Sequence, residues 1–127
     1  VYFIDTGLRR AISTAWSTSE TQILENLVFI ELQRRKKLTE RIAYWRGRSN
    51  LEVDFVIEEN LKPKRLIQVS YDPTSEETRK REEKALIEAM KELKISTAQI
   101  ITWDYEEQRQ INNKKIVYMP VWKLLLS

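Results

Sequence analysis

The 127-residue sequence contains no cysteine and no histidine. Their absence excludes disulfide frameworks, Cys/His zinc sites, cysteine nucleophiles and Ser-His-Asp triads. Glycine occurs twice and proline three times, so long irregular loops are not expected. No apolar run approaches the roughly 18 residues that would suggest a membrane span. No signal-peptide pattern opens the chain, and a cytoplasmic setting is expected. The first residue is valine, and the chain reads as a piece of something longer. What is present fits one globular domain over residues 1–127: 42% of residues are hydrophobic and 32% charged, a balance that can build a core. The net charge of +3 permits an acidic partner such as nucleic acid without requiring one.

Hydrophobic spacing gives the order of elements. Tyr2, Phe3 and Ile4 read as a short strand, followed by a turn at Asp5-Thr6-Gly7 and a short helix over 8–16. Ser19 with Gln22 three residues on is a capping-box pattern that opens a helix over 20–37, whose basic end suits the helix dipole. Strands follow over 41–46 and 51–58, joined by a short turn at 47–50 that implies an antiparallel hairpin. Strict alternation puts Val53, Phe55 and Ile57 on one face and Asp54 and Val56 on the other. A connection over 60–64 leads to a strand over 65–71. Thr74 with Glu77 marks the start of a second helix over 76–93, with Glu82, Leu86, Ala89, Met90 and Leu93 along one stripe. A strand over 97–103, a polar loop over 104–114, a strand over 115–119 and an apolar turn or helix over 120–126 complete the chain. A helix between strands implies a parallel pair, so the expected architecture is α/β, a mixed central sheet flanked by helices.

Polar residues on apolar elements are the candidate functional groups, because burial costs free energy unless they have a partner or a task. Glu25 shares a helix stripe with Val28, Phe29 and Leu32 and is expected to point inward, held by a cation or by local amides. Asp54 lies mid-strand among apolar neighbours, where it either coordinates a hard cation such as Mg²⁺ or pairs with Arg46, Arg48 or Arg65. Gln68 and Ser70 share one face of the next strand, and a hydrogen-bonded pair of sheet residues is the favoured reading. Trp45, Arg46 and Arg48 combine stacking and charge in the manner of a nucleic-acid contact, although an aromatic residue on a central strand is more often core. Arg81 falls in a basic run that reads as a solvated face with phosphate contact as the minor alternative, and Glu82 is expected to fasten the helix to the sheet.

The stretches Tyr2–Leu8, Leu24–Leu32, Tyr44-Trp45-Arg46, Glu52–Ile57, Ile67–Asp72 and Thr78–Glu82 together resemble the C-terminal domain of a group of archaeal and bacterial AAA-type ATPases. That domain is similar to the restriction-endonuclease-like PD-(D/E)xK fold, so the resemblance implies a mixed four-stranded core sheet flanked by helices. It places the helix acid of that nuclease family at Glu25 and the strand acid at Asp54. The family's Glu-x-Lys pair falls at Gln68 and Ser70, which departs from the pattern by one negative ligand and one positive catalytic group. The expected function is therefore a non-catalytic, degenerate nuclease-like accessory domain of an ATPase, contacting nucleic acid or protein. An alternative is an active nuclease with a lysine relocated from Lys62 or Lys64, using Mg²⁺ or Mn²⁺ held by Glu25 and Asp54. A third reading is an oligomerisation or protein-interaction module built on the apolar tail over 121–126. No Gly-x-x-x-x-Gly-Lys phosphate loop occurs, so the partner ATPase domain would lie before Val1. All nuclease kinship rests on Glu25, Asp54 and Gln68 converging on one pocket.

Overall fold

Adjacent residues on the strands pack in opposite directions: Val56, Leu66 and Ile100 join one apolar cluster, while Ile57, Ile67 and Ile101 join another. A sheet covered on both faces requires this alternation. The computed structural model of the protein describes residues 2–5 and 19–127. The turn expected at 5–7 and the helix expected over 8–16 therefore lie outside the described residues.

The strands are β1 (Tyr2–Asp5), β2 (Glu40–Arg46), β3 (Glu52–Glu59), β4 (Lys62–Val69), β5 (Thr97–Thr102), β6 (Glu107–Ile111) and β7 (Lys114–Pro120). They form one seven-stranded sheet in the order β1-β2-β3-β4-β5-β7-β6. Strands β1 to β4 are mutually antiparallel, β4–β5 and β5–β7 are parallel, and β6 runs antiparallel to β7. The expected hairpin and the expected parallel crossover are both present.

Helix α1 (Glu20–Arg35) starts at Ser19, whose hydroxyl accepts the Gln22 amide at 3.2 Å. It stops two residues before the expected end because Lys36 turns extended. Its Leu24, Val28 and Leu32 pack with Val121 and Leu124 of α3 (Val121–Leu126) on one face of the sheet. Helix α2 (Glu76–Leu93) covers the other face through Leu86, Ala89 and Met90. Its cap is Ser75, which accepts the Thr78 amide at 3.1 Å, and not Thr74. The Thr74 amide is held by the Asp72 carboxylate (3.1 Å), which places Thr74 inside an Asx turn one residue before the helix begins. The stripe is also rotated from expectation: Glu83 is buried with Leu86 and Met90, while Glu82 sits half-buried at its edge.

Three connections differ from the spacing. The link from β3 to β4 is only Asn60-Leu61, both at positive φ (52° and 67°), the backbone of a tight hairpin turn. Pro63 consequently lies within β4, beside a register shift and before the Ile67–Val69 stretch that pairs with β5, where a missing N–H is tolerated. Residues 104–114 are not all loop but include β6, an edge strand.

Candidate functional site

Between Ala43/Val56 and Trp45/Val53 the β2–β3 register advances two residues on β2 but three on β3. The extra residue is a bulge on β3 that reverses the parity of its side chains. Val53 therefore shares the α2 face with Val56, while Phe55 and Ile57 face α1. The uniform alternation expected for Val53, Phe55 and Ile57 fails at this bulge.

Asp54 sits in the bulge, where the β3–β4 pairing that begins at Phe55 and Ile67 gives out. Side chains continue the ladder from there. The Asp54 amide donates to Gln68 Oε1 at 2.8 Å, and the Val69 amide donates to Asp54 Oδ2 at 2.9 Å. Gln68 Nε2 in turn donates to the Glu52 carbonyl (3.1 Å) and to Glu82 Oε2 (2.6 Å). One amide thus ties β4 to two points on β3 and to the first turns of α2. Burial pushes the Glu82 carboxyl above the usual carboxylate range, opposed by the Gln68 hydrogen bond and by the Arg81 guanidinium at 4.0 Å. Gln68 is a hydrogen-bonded sheet residue, and its bonds go to β3 and α2 and not to Ser70.

Ser70 continues β4 through its amide, which donates to the Ile101 carbonyl at 2.9 Å. Its side chain lines a cleft of about 520 Å³ at the carboxyl end of β4, together with Thr21 of α1, Asp72, and Thr78, Arg81 and Glu82 of α2. Asp54, Gln68 and Glu25 are not among the residues that line it. Glu25 is buried on the sheet-facing side of α1, as its spacing with Val28 and Leu32 requires. The structure brings Asp54, Gln68 and Glu82 into one hydrogen-bonded chain, with Ser70 and Arg81 at the adjoining cleft.

A divalent cation is implied by the resemblance to metal-dependent nucleases, and the donor set does not fit one. One Asp54 oxygen holds the Val69 amide, and Gln68 offers a neutral carbonyl already holding the Asp54 amide. Such cations call for carboxylates with lone pairs to spare. Among the described residues no three acidic, histidine or cysteine side chains are grouped closely enough to hold a metal. The relocated lysines are also badly placed. Lys62 and Lys64 lie at the opposite end of β4 from Gln68, and Lys64 pairs with Glu59 at 3.0 Å.

Of the four candidate nucleic-acid residues, Trp45 and Arg48 line one cleft and Arg81 another. Trp45 is 1% exposed, packs in the core beneath α2 and donates its indole N–H to Glu92 at 2.7 Å, so no face is free to stack on a base. Arg46 donates to Asn50 Oδ1 at 2.6 Å. Arg48 is exposed in the 3₁₀ turn Arg48–Asn50 and lines a cleft with Trp45, Glu88, Lys91 and Glu92, whereas Arg81 belongs to the β4 cleft. Sequence reading missed the aromatic partner of that cleft. Tyr71 stacks on Trp103 with ring centres 5.8 Å apart, and both line an apolar groove with Ile23 and Leu27. The available signal was an aromatic residue just past the end of each of two neighbouring parallel strands.

Comparison with known proteins adds family but not activity. A family model described as a domain of unknown function, DUF4143, matches residues 20–124. The uncharacterised protein MJ1544 of Methanocaldococcus jannaschii is 39% identical over 122 residues, covering 91% of this chain. The chain spans only 27% of that relative's length. No solved structure gives a significant match.

Proposed function

The chain belongs to the DUF4143 family, and from that premise we propose that it is a non-catalytic accessory domain of an AAA-type ATPase, with a nuclease-like scaffold whose catalytic positions serve the fold. The observation that carries the reading is Gln68. At the position where the resembling nucleases have a metal-binding carboxylate, an amide uses both ends of its side chain to join β3, β4 and α2. A carboxylate there would lose two donated bonds and face Glu82 with like charge. The great length of the M. jannaschii relative beside this chain leaves ample room for an ATPase in a polypeptide of that kind, which supports the second half of the proposal. A cytoplasmic location accords with it, and no helix among the described residues is long and apolar enough to cross a membrane.

The test is cleavage of supercoiled plasmid with Mg²⁺ or Mn²⁺. The expected result is intact plasmid at every metal concentration. Metal-dependent nicking by the wild-type protein that disappears in Asp54→Ala would overturn the proposal. Of the four candidate residues, Arg48 is the one left for a contact with DNA or RNA, because Trp45 is buried, Arg46 is engaged and Arg81 lines a cleft rich in carboxylates.

A further inference from the structure

The cleft at the carboxyl end of β4 holds groups that the proposed scaffold role does not use. Ser70 is only 5% exposed and lines the cleft, where its hydroxyl can both donate and accept. Glu82 commits one oxygen to the scaffold and leaves the other for the cleft. Its Oε2 takes the Gln68 amide, but its Oε1 has only the Arg81 guanidinium, at 4.0 Å, beyond hydrogen-bonding range. The rise in its proton affinity on burial is what a carboxylate lacking a close counter-charge shows.

The charge of the lining selects the ligand. Among the described residues of the lining, Glu20, Asp72 and Glu82 face Arg81, so carboxylates outnumber cations there three to one. The starts of α1 and α2 also lie here and favour anions, but Ser19 and Ser75 already accept an amide at each of those ends. A phosphate backbone would meet net repulsion, whereas an ammonium or guanidinium would meet acceptors at Glu82, Ser70 and Asp72.

Immediately beside the cleft, and sharing Glu20 and Tyr71 with it, runs the apolar groove of about 220 Å³. Its Ile23 and Trp103 are 62% and 51% exposed, large apolar surfaces to leave in water. A partly exposed aromatic pair beside a polar pocket is the arrangement by which protein surfaces anchor peptide segments.

We propose that this composite surface receives a polypeptide segment of a partner protein, which seats a lysine or arginine side chain against Glu82 and Ser70 and a neighbouring bulky apolar side chain against Tyr71 and Trp103. The inference rests on the reading of the site as non-catalytic and names the partner chemistry that replaces catalysis there.

The test is heteronuclear NMR of the intact protein titrated with the capped peptide acetyl-Gly-Leu-Arg-Leu-Gly-amide. Controls are the same peptide with glutamate for arginine and a short oligothymidylate. Saturable shifts confined to Ser70, Tyr71, Glu82 and the Trp103 indole are expected with the arginine peptide alone. Glu82→Gln keeps an acceptor for Gln68 and is expected to fold normally, while weakening the peptide by about tenfold or more. Ser70→Lys, which places a tethered ammonium in the cleft, is expected to do the same. No localised shifts, an equal response to the glutamate peptide, or oligothymidylate shifting the same residues would each overturn the inference. A protein that leaves plasmid intact but ignores the peptide would sink this inference alone. Plasmid nicking lost in Asp54→Ala would sink the non-catalytic reading beneath it.

Discussion

The side chain of Gln68 bonds with groups on three separate stretches of chain: the Asp54 amide, the Glu52 carbonyl and the Glu82 carboxylate. Gln68→Glu keeps the size and removes both donated bonds, setting two carboxylates against each other. It is expected to destabilise the protein by about 1–3 kcal/mol at neutral pH in urea unfolding. The loss should shrink in acid, where the two carboxyls share a proton. Asp54→Ala strips the Val69 amide of its acceptor and is expected to cost about 1–3 kcal/mol, while Asp54→Asn keeps an acceptor and costs less. Equal losses for the two would show that the bond to Val69 is not what Asp54 supplies. Glu82 has the opposite sign from a salt-bridged acid. Its folded-state proton affinity is raised, so its contribution is most favourable below the ordinary carboxylate range and is lost as pH rises through the folded value. Glu82→Gln should therefore gain stability relative to wild type as pH rises toward neutrality, and a pH-independent difference would contradict this. At this scale the sequence disclosed the burial of Glu25, Asp54, Gln68 and Ser70 but not their partners, nor the burial of Glu31, Glu58 and Glu83. Asp54 was expected to meet a cation or an arginine, and a backbone amide is among its partners, because a bulge that spacing does not reveal left that amide without its ladder partner.

Among the elements, the legible ones are those with a regular apolar rhythm. Helices α1 and α2, the β2–β3 hairpin and the β4–α2–β5 crossover all follow from spacing and caps. Strand β6 was hidden because Glu107–Ile111 is an edge strand with almost no apolar alternation, held by pairing to β7 and by Arg109, which lies 2.8 Å from buried Glu83. Glu83 itself was legible in principle, three and seven residues before Leu86 and Met90. The turn after β2 has its own demand. A Cβ on Gly47 would lie 2.2 Å from the Trp45 ring, so Gly47→Ala is expected to lower stability by about 1–3 kcal/mol through overpacking, read from the thermal midpoint. The end of α1 is a further test. Glu31 pairs with Arg34 and Arg35, and Arg35 also donates to the Leu124 carbonyl of α3 at 2.6 Å. The hydrogen bonds from Arg34 and Arg35 hold the Glu31 carboxyl down at about 2, from 4.5. Its stabilising contribution is present above the unfolded value and disappears as pH falls from about 4.5 through about 2. Glu31→Gln should flatten acid unfolding in that window, and an unchanged acid profile would contradict the pairing.

For the molecule as a whole, two helical layers around a mixed sheet were legible from element order. The net charge of +3 was less informative than its distribution, since among the described residues the cleft beside β4 carries three acids and one base. Salt dependence of DNA binding reads that distribution. Only weak, steeply salt-sensitive association is expected, unaffected by Trp45→Phe because the indole is buried. The claim on which the account turns is that side chains close the top of the β3–β4 ladder and are thereby committed to the fold. Native-state hydrogen exchange across the whole chain tests it most directly. The Asp54 and Val69 amides are expected to exchange as slowly as those of the core strands, with Gln68→Ala releasing the first and Asp54→Ala the second. Rapid exchange at both positions in the wild-type protein would contradict the account, for it would leave the Asp54 carboxylate and the Gln68 amide open to other ligands.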